Sequence, residues 1–145
     1  MNLEPSFVPN LAFDYLKEVE ISYSVTGCFS EQDLEVFHSF FGEHLVDATE
    51  LLEKCKIIKY SLTDNSRSIF KIITKHEQYS IFDNINFCNC SIFRLQVLEL
   101  RNAITCKHIL AVKLGEITGH VVKETITGSQ LVDFLNEQLN CLDGE

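Results

Sequence analysis

A chain of 145 residues with 46% hydrophobic and 10% aromatic side chains is long enough to bury a core without disulfide staples. Its 12 basic and 21 acidic side chains leave a net charge of −9, and 6 Gly with 2 Pro exclude collagen-like and low-complexity classes. No apolar run approaches the roughly 18 residues of a membrane span. The first ten residues lack a basic stretch followed by an apolar one, so no secretory signal is expected and the chain reads as a soluble intracellular protein.

Charge is unevenly spread. Residues 1–53 carry a net −10, residues 54–76 a net +5, and residues 77–145 a net −4. A uniformly acidic chain would argue against nucleic acid; a basic middle inside an acidic chain leaves that class open.

No repeat or Gly/Ser/Pro-rich linker interrupts residues 1–145, which are expected to form a single domain. A first helix is predicted after Pro9 and Asn10, with Leu11, Ala12, Tyr15, Leu16 and Val19 on one face. Ser30 and Asp33 have the spacing of a capping box opening a second helical stretch. In it Leu34, Phe37, Phe41, Leu45, Ala48 and Leu52 step by three and four, and Gly42 is expected to kink or split it.

From residue 56 the period changes to that of strands. Residues 57–62 and 68–73 flank the turn formers Asp64, Asn65 and Ser66 and read as a hairpin, with a third strand over 78–82. Ile109, Ala111, Val112 and Leu114 suit a helix starting near Cys106. A last helix is marked by Thr127 and Gln130, with Leu131, Phe134, Leu135 and Leu142 on its apolar side. The expected class is α+β: N-terminal helices, a small antiparallel hairpin sheet, a ββα-like metal module and a C-terminal helix.

Six cysteines without a secretory signal point away from a disulfide framework. Cys28, Cys55 and Cys141 stand singly among apolar residues and read as small buried hydrophobes. The informative set is Cys88 and Cys90, then fifteen residues, then Cys106 and His108. A CxC or a CxH alone is weak. Together they supply three soft thiolates and an imidazole, the complement of one tetrahedral structural Zn²⁺.

The spacing constrains the geometry. Residues two apart converge if residues 87–90 end a strand, whereas within a helix they diverge. Cys106 is therefore expected in the loop leading into a helix, with His108 in the first turn, where free N–H groups and Lys107 offset the charge of a three-thiolate centre. A catalytic zinc would leave one position to water and want a nearby carboxylate; residues 84–108 offer only Glu99. A redox CxC would leave the CxH unexplained.

This ligand pattern resembles the SWIM-type zinc finger, CxC followed by a variable gap and CxH. The stretch from Cys106 to Val112, Phe40 with Phe41 and Gly42, Thr49 to Leu52, and the hairpin around Asn65 are similar to the small single-domain SWIM subunits of Shu-type complexes. The likeness runs from about Phe40 to Ile117, with the finger itself near 77–117. Family members often carry proline after the second cysteine. Ser91 stands there, which removes a stiff exit from the turn but no ligand. Residues 91–100 stay open: Phe93, Leu95 and Val97 alternate like a strand, while Phe93, Val97 and Leu100 fit a helix.

The resemblance implies a non-catalytic nuclear protein with one structural Zn²⁺. It implies a heterodimer with a RecA-like recombinase-paralogue subunit, promoting assembly or stability of a strand-exchange recombinase filament on single-stranded DNA, with no membrane role. The alternative is a zinc-dependent nucleic-acid-binding module acting in transcription or transposition. Lys59, Arg67, Lys71 and Lys75 are the candidate contacts to nucleic acid or an acidic partner. Arg67, Lys71 and Lys75 fall in phase on one strand face, opposite Phe70 and Ile72. Lone histidines, His38, His44, His76 and His120, read as solvated or capping. Apolar residues off the main stripe, Val36, Phe40, Val46 and Leu51, suggest a surface that a partner covers.

Overall fold

Ser30 accepts the N–H of Asp33 at 3.0 Å and the Asp33 carboxylate accepts the N–H of Ser30, the reciprocal cap the sequence predicts. It opens α2 (Glu31–Phe41), and α3 (Glu43–Lys54) follows after one residue. That residue, Gly42, has φ 59° and ψ −134°, a conformation side chains resist, so the long apolar stripe breaks there into two helices. The preceding α1 (Phe7–Thr26) begins earlier than expected, because a proline in a first turn lacks only an N–H that would be unpaired anyway. Ala12, Leu16 and Val19 are buried while Leu11 faces solvent. Tyr15 donates to Asp33 at 2.9 Å and ties α1 to the α2 cap.

The computed structural model describes residues 7–83 and 85–143. After α3 come β1 (Lys56–Leu62), β2 (Ser68–Ile73) and β3 (Gln78–Phe82), then a short π-helical turn (Phe93–Glu99), α4 (Lys107–Thr118), β4 (Val121–Ile126) and α5 (Gly128–Asp143). The class is mixed helix and sheet, as expected. The sheet order is β3-β2-β1-β4. The three predicted strands pair antiparallel, with Ile57 opposite Ile72 and Phe70 opposite Ile81. β4, which the periodicity did not suggest, adds to β1 in parallel, Ile57 beside Val121, so the sheet is mixed rather than purely antiparallel.

The helix α4 is the shared spine. Leu110, Ala111, Leu114 and Ile117 pack with Leu16, Phe37, Phe41 and Ala48 in a helical core. Ile109 and Val112 point the other way, joining Ile57, Phe70, Ile72 and Ile81 of the sheet and the buried cysteines. A helix buried on all sides needs no amphipathic stripe. At Gly115 a Cβ would lie 3.2 Å from Ile57 Cδ1 and 3.4 Å from both Leu52 Cδ2 and Val121 Cγ2, so helix, sheet and α3 meet there at backbone distance.

The outer sheet face is covered by α5. Thr127 and Gln130 form the predicted cap, the Gln130 side chain accepting the Thr127 N–H at 2.9 Å. Phe134 then packs on Tyr60 at 5.0 Å between ring centroids. The side chains of Cys141 and Leu142 lie outside the described residues. Cys28, expected to be buried, is exposed in the turn after α1, and Cys55 is half-buried.

Candidate metal centre

Cys106 caps α4 in extended conformation and His108 follows in the first helical turn, as their two-residue spacing requires. Cys88 and Cys90 reach them differently from the expectation: residues 85–89 form irregular chain with a bend at Cys90, not the end of a strand. A strand end is unnecessary because other bonds hold this loop. Asn86 donates to the carbonyl of Ile104 at 3.0 Å and accepts the hydroxyl of the buried Thr105 at 2.8 Å, which fastens the CxC loop beside the CxH segment. Neither Asn86 nor Thr105 belonged to a recognisable motif.

The four ligand atoms all lie within 4.8 Å of one another, and all four residues are buried. Cys88 Sγ stands 3.8 Å from His108 Nδ1. Bond lengths of 2.3 Å to sulfur and 2.0–2.1 Å to nitrogen give a tetrahedral S···N edge of about 3.6 Å. The donor set therefore fits one Zn²⁺ with a complete protein shell. The backbone N–H of Phe93 donates to Cys90 Sγ at 3.3 Å, stabilising thiolate charge.

Three thiols this close cannot all ionise without a cation. Cys88 is pushed far above the ordinary thiol range by its hydrogen bonds with Cys106 and then Cys90, with burial adding to them. Cys90 is held far below it, chiefly by hydrogen bonds from Cys106 and then Cys88. The trio is built to share negative charge that a divalent ion would neutralise. Aromatic packing fixes the rest. Tyr79 of β3 lies against the His108 ring at 4.1 Å between centroids, and Phe87 meets Phe93 edge-on at 5.6 Å.

The SWIM zinc finger family matches residues 81–114, the stretch that runs from β3 through both ligand pairs into α4. This chain carries a SWIM zinc finger. Similarity extends well beyond the finger. The chain is 25% identical to "Zinc finger SWIM domain-containing protein 7" of Danio rerio over 92% of this chain and 95% of that protein. Against the Homo sapiens protein of the same name it is 22% identical over 88% of this chain and 91% of the other, and against that of Mus musculus 20% over 94% and 90%. No solved structure matches it. The finger's ligands come from the loop after β3 and the start of α4, and its three cysteines are packed in the core between sheet and helix, so it is not an appendage.

The four candidate basic contacts do not form one surface. Lys71 is 5% exposed, its ammonium 4.0 Å from the Phe134 ring centroid and 3.0 Å from Glu137 of α5, so it holds the C-terminal helix to the sheet. This corrects the expectation of an accessible Lys71. The sequence placed it correctly opposite Phe70 and Ile72 but could not show that a helix covers that face. Lys59 lies on the opposite side, over Phe70 at 5.4 Å and 3.8 Å from Glu116. Burial raises the pKa of Glu116 despite Lys113 and Lys59. Only Arg67 and Lys75 are freely exposed, at the two ends of β2.

Among the lone histidines His44 does more than expected. Its Nε2 lies 2.8 Å from Gln96 Oε1, joining α3 to the π-helical turn. His38, His76 and His120 are exposed.

Proposed function

We propose that this protein is a non-catalytic subunit of a nuclear Shu-type complex. It partners a RecA-like recombinase-paralogue subunit and promotes the assembly or stability of a recombinase filament on single-stranded DNA. The observation that carries this reading is the reach of the similarity: it spans 95% of the Danio rerio relative, not the finger alone. A closed four-ligand shell supports a structural metal, since catalytic zinc needs an open position. The dispersal of Lys59, Arg67, Lys71 and Lys75 favours DNA contact through the complex over a basic surface on this chain. That weighs against the transcription or transposition reading.

The test is purification of the tagged chain from its own cells, with stoichiometric partners and metal quantified together. A one-to-one recombinase-paralogue subunit that raises filament assembly on single-stranded DNA is the expected result. Abundant chain with no such subunit, or filament assembly unchanged by the purified complex, would refute the proposal.

A further inference from the structure

Phe40 and Leu51, off the helical stripe, pack on the helical core and need no partner to cover them. The sheet is different. Its order β3-β2-β1-β4 leaves two outer edges, and they are not alike. β4 carries Lys123 and Glu124 at its centre, both exposed, the kind of charge that keeps an edge from pairing with another chain. β3 reads Gln78, Tyr79, Ser80, Ile81, Phe82, with no charge and no proline, and pairs with β2 without a bulge.

Which backbone groups of β3 face outward follows from the ladder. Thr74 N–H donates to the Glu77 carbonyl at 2.9 Å, and Asp83 N–H donates to the Ser68 carbonyl at 3.3 Å. Bonded pairs alternate along an antiparallel ladder. Glu77, Tyr79, Ile81 and Asp83 therefore bond toward β2, while Gln78, Ser80 and Phe82 turn their N–H and C=O groups to the edge. The Phe82 carbonyl accepts the N–H of Ile85 at 3.3 Å; among the described residues the other outward groups have no backbone partner.

The side chains of the same three residues share the face that α5 covers, opposite Ile73, Lys71 and Ile69. At the far end of the strand Phe82 and Leu131, the exposed Ile85 and Leu135, and Arg67 line one cavity of about 350 Å³. Charge at the two strand ends separates the possible occupants. Asp83 is already bridged by Lys59 at 3.9 Å, whereas the exposed Glu77 carboxylate has only the Tyr79 hydroxyl, at 3.1 Å. A second copy using the whole edge would pair antiparallel about Ser80. That register sets Glu77 of each copy opposite Asp83 of the other, and like charges directly opposite are destabilising.

We propose that β3 takes up an extended segment of another protein as a fifth strand of the sheet, with an apolar side chain in the cavity beside Phe82 and a lysine or arginine opposite Glu77. Outward N–H and C=O groups at every second residue match a strand; a helix has already paired its own. This inference stands apart from the complex named above.

The test adds a synthetic end-blocked peptide, Ser-Val-Thr-Val-Thr-Val-Lys, to the full zinc-loaded chain, with a second peptide that carries Glu in place of Lys. Antiparallel pairing puts its valines on the cavity side and its lysine at Glu77, and N-methyl groups on the threonines stop it stacking on itself. Amide hydrogen exchange, zinc content and melting temperature are read together. Saturating lysine peptide should slow exchange at Gln78, Ser80 and Phe82 by about tenfold or more. The glutamate peptide should bind severalfold more weakly, most at low salt. Ser80→Pro and Gln78→Pro each remove an N–H that points away from β2, so both should keep zinc and abolish the protection. Lys123→Glu on the β4 edge should leave it unchanged. No protection of those amides by either peptide would overturn the proposal, as would full protection in both proline variants. Equal binding of the two peptides would overturn the basic residue opposite Glu77. Self-association of the wild-type chain that both proline variants abolish would reassign the edge to a second copy.

Discussion

Removing the zinc, by chelation or by His108→Ala, is expected to unfold the whole protein rather than the finger alone. A structural Zn²⁺ contributes an apparent 10–16 kcal/mol, about the size of a domain's entire stability of roughly 5–15 kcal/mol. The structure sets how far the loss spreads. All four ligands are at most 6% exposed, and the three cysteines sit in the core that includes Ile57, Phe70, Ile72 and Ile109. The helix α4 that carries His108 also supplies Leu110, Ala111, Leu114 and Ile117 to the helical core with α1, α2 and α3. Once the first turn of α4 is released, neither core keeps its central element. His108→Ala removes one ligand and empties the space against Tyr79, so the remaining three thiolates hold the ion weakly.

The assay is far-UV circular dichroism melting with metal analysis of the same samples, together with amide hydrogen exchange before and after chelator. Helix signal should fall, protection in α1–α3 should vanish along with that in α4, and readdition of Zn²⁺ should restore both. Folded, metal-free protein purified under reducing conditions without chelator would refute the structural role of the metal. Lasting protection of α1–α3 after the metal is gone would refute the coupling through α4.

Asn86→Ala should cost about 1–3 kcal/mol, because it strands the Thr105 hydroxyl and the Ile104 carbonyl, and weaken zinc binding about ten- to a hundredfold, measured by chelator competition. Gly42→Ala should lower stability by about 1–3 kcal/mol in urea melts, since alanine must adopt a positive φ there. Tyr79 is pushed up to about 12 from 10.0, first by burial and then by its hydrogen bond to Glu77. Its folded pKa is raised, so its contribution is full below pH 10 and lost as pH rises toward 12, and Tyr79→Phe should flatten that part of the stability curve. Lys71→Glu should loosen α5 and raise proteolytic cleavage within it, so any loss of DNA binding in that variant reports a detached helix rather than a lost phosphate contact.

The features legible in the sequence were those fixed by neighbours along the chain. Ser30 with Asp33, Thr127 with Gln130, the break at Gly42 and the position of Cys106 at a helix start all follow from spacing and local backbone chemistry. The features that were missed depend on residues far apart. β4 reads Val121, Val122, Lys123, Glu124, Thr125, Ile126, with four consecutive exposed residues, so it has no alternation to reveal it; its parallel pairing with β1 is made across more than sixty residues. Lys71 looked like part of a basic face because its alternation was right. Only the later arrival of α5 turned that face inward.

The same distinction explains why the finger was easy to find and its purpose harder. Ligand types and spacing declare the metal, yet they are silent on what the ordered metal site supports. The least legible stretch lies between the ligand pairs, where residues 91–100 fit both strand and helix templates on apolar pattern alone. The ambiguity has a physical origin. A π-turn contains an extra residue per hydrogen-bonded ring, so Phe93 can face the core while Leu95, Leu98 and Leu100 face solvent, an order neither two- nor 3.6-residue periodicity describes. Such a turn has little stability of its own and needs a fixed base. The N–H of Phe93 on Cys90 Sγ supplies one, and a bound metal would fix Cys90 in turn. Loss of the metal would therefore loosen Phe93 along with Cys90, which couples the order of the turn to the order of the ligand loop.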